Sequence, residues 1–279
     1  MSFRFTRAPL TQHLLLAGVL GVAFALGSTD AFAEVWHDMV GLASDRVLFV
    51  GGLMVLHTAL YWPIAAAFHV VDTTDRPAWI ARHRIQQGKR KQPPLGRTLG
   101  VLARNQFLLL PLLLWGFGEG LRWRGWTVEA ELPSVGRLAF ELVGQGLVAV
   151  LVFYAGHRFL HRPWWMRRVH RVHHEFRATS AWASEYAHPV EFVLGNFLAL
   201  VAGAWLFLPH LASMYVFTTL SLLTILVHHS GYALPWAPWS VAHDWHHYRM
   251  NEVFGTTGFL DRLLGTDATF RTLEDGEER

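Results

Sequence analysis

The sequence predicts an all-α fold: a polytopic helical membrane protein with a histidine-rich helical cap on one membrane face. Three observations carry that prediction. The 279 residues are 52% hydrophobic and only 16% charged, with a mean hydropathy of +0.24, whereas a soluble chain carries roughly 25% charged residues. Apolar runs of membrane-crossing length, about 17–25 residues, recur along the chain. Of the 17 histidines, 12 fall between positions 157 and 247. This composition excludes disorder and an ordinary soluble enzyme. The absence of cysteine excludes disulfides, thiolate zinc sites and iron–sulfur clusters, and leaves the redox compartment open. A net charge of +3, dispersed along the chain, gives no footing for a nucleic-acid partner.

The first run, 10–27, has two readings. Arg4 and Arg7 before it and Ala31-Phe32-Ala33 after it imitate a secretory signal with its cleavage site. The run is longer than the apolar stretch of a typical signal and five more apolar segments follow, which favours a retained helix. Segment 28–45 then holds Asp30, Glu34, Asp38 and Asp45 with no Lys or Arg. The second run is 47–71. After it, 72–98 carries Arg76, Arg82, Arg84, Lys89, Arg90, Lys91 and Arg97. The third run, 99–121, is interrupted by Arg104 and Asn105, so its effective core is 107–117. The fourth is 135–156. Runs 192–208 and 211–227 are separated by Pro209 and His210 and sit near the lower length limit, so two full spans and a re-entrant hairpin both fit. Cytoplasmic connections are enriched in Lys and Arg. The N-terminus, 72–98 and 157–190 are therefore assigned to the cytoplasmic side and 28–45 to the exterior, and counting spans gives the same answer. Every histidine from 157 to 191 and from 228 to 247 then lies at one membrane face. Thirteen Trp suit interfacial belts, with Trp164, Trp165, Trp236 and Trp239 as anchors. The chain divides into an N-terminal transmembrane region (1–130), a histidine-bearing domain (131–273) and a solvated tail (274–279). The 22 Arg against 2 Lys, with abundant Ala, Gly, Leu and Val, favour a bacterial cytoplasmic membrane, or the endoplasmic reticulum membrane in a eukaryote.

The clustered histidines have a pattern. His157 and His161 stand at i, i+4; His170, His173 and His174 stand at i, i+3, i+4, as do His243, His246 and His247. Such offsets put side chains on one helix face, about 5–6 Å apart. A lone histidine such as His13, His57 or His210 is a packing or interfacial residue. Three matched sets are not. Imidazoles at membrane depth need partners, and a metal serves many at once. A zinc site is satisfied by about four ligands, no H-E-x-x-H is present, and eight histidines exceed one ion. Two metals, each held by four or five imidazoles, fit the number. Imidazole suits iron, copper, zinc and nickel alike, so spacing leaves the metal open. Asp244, Glu185 and Glu191 are candidates to accept hydrogen bonds from ligand N–H groups.

HRFLH (157–161), HRVHH (170–174) and HDWHH (243–247) resemble the three histidine boxes of the fatty acid hydroxylase/sterol desaturase superfamily of membrane-bound non-haem di-iron oxygenases. EYAHPVEF (185–192), HSGYALPW (229–236) and FLDRLLGTD (259–267) resemble the surroundings of those boxes in methylsterol monooxygenases, and the likeness covers about residues 150–270. The resemblance implies two iron ions per chain. Their ligands would be His157, His161, His170, His173, His174, His243, His246 and His247, joined by His229 and by His188 of the HP pair, whereas His228 has no counterpart. It implies hydroxylation of a sterol or related lipid with dioxygen, a fatty acid or sphingoid base being the alternative substrate class. Electrons must come from a separate donor or reductase, because the chain has no G-x-G-x-x-G and no cysteine. Arg162, Arg167, Arg168, Arg171 and Arg177 offer an acidic donor a basic face, although positive-inside topology explains them equally well. A histidine-rich metal transporter is the competing class. Against it, the ligands gather at one face and no ionisable chain crosses the spans.

Overall fold

The computed structural model describes residues 29–88, 91–235 and 240–274. The 10–27 run, Trp236, Trp239 and the end of the tail lie outside them. Among the described residues there is no sheet, Arg84 and Tyr232 form an isolated antiparallel bridge, and five helices are long and apolar enough to cross a membrane. Helix α1, Asp30–Leu42, precedes them, capped by the Thr29 hydroxyl accepting from the Phe32 N–H. The five are α2 (Val47–Thr74), α3 (Leu95–Trp123), α4 (Val135–Leu160), α5 (Pro189–Phe207) and α6 (Leu211–His228). Three short helices follow: α7 (Ser240–Arg249), α8 (Phe259–Leu264) and α9 (Ala268–Glu274).

In lipid each backbone N–H and C=O must be satisfied within the segment, so a long apolar run closes into helix. Helices α5 and α6 have 19 and 18 residues, about 27–29 Å at 1.5 Å per residue, close to the ~30 Å hydrocarbon core. Their turn passes through Leu208 in the left-handed region (φ 47°). Trp126 donates from Nε1 to the Pro209 carbonyl at 2.8 Å, and His210 donates to the Glu131 carbonyl at 3.0 Å. Those bonds hold the turn against the loop between α3 and α4, at the end remote from the clustered histidines. Each of the pair is thus long and apolar enough for a full crossing.

The third span is longer than its 107–117 core. It stays helical through the polar interruption by widening to a π-turn at Arg104–Leu109, with Asn105 and Gln106 fully buried. Helices α4 and α5 pack along much of their length. Gly203 makes that approach possible, since a Cβ there would lie 2.6 Å from the Gln145 Cα. Large side chains such as Leu112, Trp115, Phe140, Val143 and Leu147 remain exposed as the lipid-facing surface.

The two ends of the bundle differ in chemistry. At one end α1 buries Trp36, whose Nε1 donates to the Glu129 carbonyl at 3.1 Å; Arg46 pairs with Glu119 at 2.9 Å. At the other, Arg97 pairs with Glu175 at 2.6 Å and the Arg177 N–H donates to the Lys91 carbonyl at 3.1 Å. Residues 83–85 run beside 231–233, tied by Ile85 N–H to Gly231 carbonyl at 2.9 Å and Ala233 N–H to His83 carbonyl at 2.8 Å. Segments 72–98 and 157–190 thus share one end, with 28–45 at the opposite end, as the charge pattern requires.

Candidate metal centre

The first histidine box ends α4: His157 is in its last turns and His161 is its C-cap. Pro163 then breaks the helix, and the chain descends through a π-turn, Met166–His170, into a 3₁₀ turn, His173–Glu175. The expectation that His170, His173 and His174 share one α-helical face therefore fails. His173 joins a different group of imidazoles from the other two, although its ring stays 5.4 Å from that of His170. Helix α7 is α-helical and buries all three of its box histidines. His229 caps the end of α6.

Nine imidazoles converge into two adjacent groups: His157, His161, His170, His174 and His246 in one, and His173, His229, His243 and His247 in the other, with ligand nitrogens within 4.8 Å of one another in each. Both the second and the third box divide between the two groups. In the five-histidine group, neighbouring Nε2 atoms are 3.2 Å apart for His157 and His170, 2.9 Å for His161 and His170, 3.1 Å for His161 and His246 and 3.0 Å for His170 and His174. In the four-histidine group they are 2.8 Å for His229 and His243, 3.2 Å for His243 and His247 and 3.4 Å for His173 and His229. The groups touch: the His174 and His247 ring centroids are 4.8 Å apart.

These contacts are not a hydrogen-bond network. A neutral imidazole has one N–H, and here it is already committed outward. Nδ1 of His157 donates to the Phe254 carbonyl at 2.7 Å, that of His246 to Glu252 at 2.6 Å, that of His229 to Ile225 at 2.8 Å and that of His247 to Phe176 at 2.8 Å. His170 donates to the Glu191 carboxylate at 2.7 Å and His173 to the Tyr186 carbonyl at 3.2 Å. The Nε2 atoms of these six are therefore bare lone pairs facing one another, an arrangement that could hold a metal cation. The spacing suits one: metal–imidazole bonds of about 2.0–2.1 Å place neighbouring nitrogens about 2.9 Å apart at right angles and about 3.3 Å apart at tetrahedral angles. Burial first, then neighbouring imidazoles, pushes His161 down to about 2 and His173 to about 4, and holds His174, His243, His246 and His247 well below the ordinary imidazole range. All are neutral and ready to ligate near pH 7.

Of the three acidic candidates for ligand support, Glu191 accepts from a cluster histidine, His170. Asp244 accepts instead from the Thr179 N–H and hydroxyl and from Gln86 Nε2, at 3.1, 2.5 and 2.8 Å, fastening α7 to the loop before α5. Glu185 accepts from His57 and Gln106. Asp261, within the 259–267 string, accepts from the Phe254 and Gly255 N–H groups and the Thr266 hydroxyl at 2.7–2.8 Å, and so fixes the carbonyl that orients His157.

His188 stands outside both groups. It is half-buried at the start of α5, where its Nδ1 accepts from the Val190 N–H at 3.2 Å, so the ring serves as a helix cap. His228 is buried beside the His243 ring without joining either group. A cleft of about 430 Å³ opens at the histidine end, its walls including Lys91, Arg97, Arg171, Arg177 and Met250, and it reaches His174.

A family model described as fatty acid hydroxylase matches residues 143–266, a stretch holding all nine converging histidines. Fatty acid hydroxylase domain-containing protein 2 of Macaca fascicularis is 34% identical over 231 residues, covering 81% of this chain and 69% of that protein. Fatty acid hydroxylase ahd1 of Mycosarcoma maydis is 32% identical, covering 77% of this chain and 59% of that protein. Methylsterol monooxygenase 2-2 of Arabidopsis thaliana is 28% identical over 256 residues, covering 87% and 94%. The likeness thus extends well beyond the box region. No solved structure matches the chain.

Proposed function

Because this chain belongs to the fatty acid hydroxylase family and is a membrane-embedded oxidoreductase of the hydroxylase/monooxygenase kind, we propose that it hydroxylates a sterol or related lipid at a di-iron centre. The observation that carries the metal reading is the convergence of bare Nε2 atoms into a group of five and a group of four. His157, His161, His170, His174 and His246 would hold one iron and His173, His229, His243 and His247 the other. Bound there, iron supplies the redox chemistry that lets dioxygen attack an unactivated C–H bond. One oxygen atom enters the lipid as a hydroxyl and the other leaves as water, consuming two electrons and two protons. The chain's own residues prepare that site. The outward carbonyls and Glu191 keep a proton on Nδ1 and a lone pair on Nε2. The apolar residues around α7 exclude bulk water, and the lipid-facing spans admit an apolar substrate from the side.

The sterol reading is supported by the near full-length match to a methylsterol monooxygenase and by the strings at 185–192, 229–236 and 259–267. A fatty acyl substrate is the second reading, favoured by the higher identity with fatty acid hydroxylase ahd1. A separate electron donor is required, and we place it at the basic cleft, where four cationic side chains and Glu175 surround the approach to His174. The Arg-to-Lys ratio favours a bacterial cytoplasmic membrane. The test is anaerobic purification with ferrous iron, followed by turnover under ¹⁸O₂ with supplied electrons on a methylated sterol and on a free fatty acid. Two irons per chain and labelled sterol alcohol are expected. Label in the fatty acid alone would move the assignment to the second reading, and a single zinc without dioxygen uptake would overturn both.

A further inference from the structure

The connection 181–187 bonds to His173 of the four-histidine group on one side and to helices α2 and α3 on the other, and is unusually well tied for a loop. Its backbone serves His173: Nδ1 donates to the Tyr186 carbonyl at 3.2 Å, and the Ala183 carbonyl lies against the same imidazole. Its opposite side is held by two transmembrane helices. From α2, His57 donates from Nε2 to Glu185 Oε1 at 2.9 Å, and the Tyr61 hydroxyl donates to the Trp182 carbonyl at 3.2 Å. From α3, Gln106 Nε2 donates to Glu185 Oε2 at 2.7 Å, and Asn105 Nδ2 donates to the Glu185 and Ala187 carbonyls at 3.1 and 3.0 Å. Arg104 reaches the Ala187 carbonyl at 2.9 Å.

Arg104, Asn105 and Gln106 are consecutive and all three bond to the 185–187 stretch, in a segment where the helix widens to a π-turn at Arg104–Leu109, a feature that recurs at functional sites. Polar side chains within a span are costly unless they have a task. His57, Glu185, Asn105 and Gln106 are all buried, and their bonds end on the loop that orients a cluster histidine.

We propose that His57 and Gln106, acting through Glu185, are positioning residues for the four-histidine group: an intramembrane brace that sets the height and rotation of the His173 imidazole. They touch neither substrate nor metal. The brace rests on the two-metal reading above and deepens it, because it acts on one group and leaves the other alone. The five-histidine group has its own support in Glu191, Phe254 and Glu252, none of which bonds to the brace.

The selectivity supplies the test. The full-length chain and its His57→Ala/Gln106→Ala variant are purified metal-free in detergent and titrated anaerobically with ferrous iron alone. Binding is followed by metal content and by the Mössbauer signature of ⁵⁷Fe added in the first and second equivalents. Loss of outer support weakens metal affinity by about 10–100-fold, so the double variant should bind one equivalent as the parent does and the other at least tenfold more weakly. His57→Gln, which keeps an N–H within reach of Glu185, should restore the weakened site. Equal affinity for both equivalents in the variant and the parent would overturn the brace. So would parallel weakening of both sites with a lowered melting temperature, the result of a merely structural role. A parent that takes up only one iron would overturn the two-metal reading itself, and the brace with it.

Discussion

Six of the nine cluster imidazoles carry an outward Nδ1 hydrogen bond besides the Nε2 that faces their group, and substitutions that separate the two have different consequences. His246→Ala removes a nitrogen from the five-histidine group and is expected to cost far more than tenfold in turnover and to lower iron content, because the affinity of a site depends on all its ligands together. His37, largely exposed on α1, is the control, and His37→Ala should change neither. Glu191→Ala leaves every ligand in place but removes the acceptor of the His170 N–H. It should weaken iron binding about 10–100-fold, read by equilibrium titration, while Glu191→Gln, with an oxygen at the same reach, should recover most of the loss. The nine converging histidines were legible in the sequence because their spacing is periodic and imidazole is a metal-ligating side chain, whereas His188, read with them, stands outside both groups. The division of the nine into five and four was not. It depends on how the helix ends and turns meet: even on the regular helix α7, His246 faces one group while His243 and His247 face the other. The outward acceptors were hidden for a simpler reason: most are backbone carbonyls, which every residue carries.

Between helices, small residues decide how closely two spans approach. A Cβ at Gly203 of α5 would meet the Gln145 backbone of α4 at 2.6 Å, whereas one at Gly146 of α4 meets nothing within 4 Å. Gly203→Ala is therefore expected to destabilise the bundle by about 1–3 kcal/mol, the usual cost of overpacking. Gly146→Ala should be neutral or slightly stabilising, since Ala is the better helix former. Thermal unfolding in one detergent distinguishes the two. The spans themselves were readable from hydropathy, and α4 keeps its expected start at Val135. Helix α3 was read short because Arg104 and Asn105 look like an interruption in a lipid-facing helix. They are tolerable because both reach the protein-facing side, where the carbonyls of 185–187 receive them, a circumstance set by a partner eighty residues away.

For the whole molecule, the charge pattern and the inter-loop bonds agree on which segments share an end, and the membrane fixes the remaining choice of side. The chain has no cysteine, so a single introduced thiol reports its side without background. A membrane-impermeant maleimide should label Asp38→Cys on intact cells and Arg168→Cys only after permeabilisation; the reverse would invert the orientation. The same lack of cysteine gives the histidine groups a second role. His161 and His246 are 85 residues apart in sequence and adjacent at one point, as are His173 and His229 across 56 residues. An ion bound at each point would close a long loop much as a disulfide would, a constraint of about 4–5 kcal/mol for loops of this length. Helices buried in lipid need no such closure, so biogenesis is expected to fall into two stages, with the spans inserting first and the cap closing when metal arrives. Newly made protein in iron-starved cells should accumulate in this half-finished form, with trypsin cutting at Arg171, Arg177 and Arg249. Iron supplied after synthesis should then make the same population protease-resistant without any new translation.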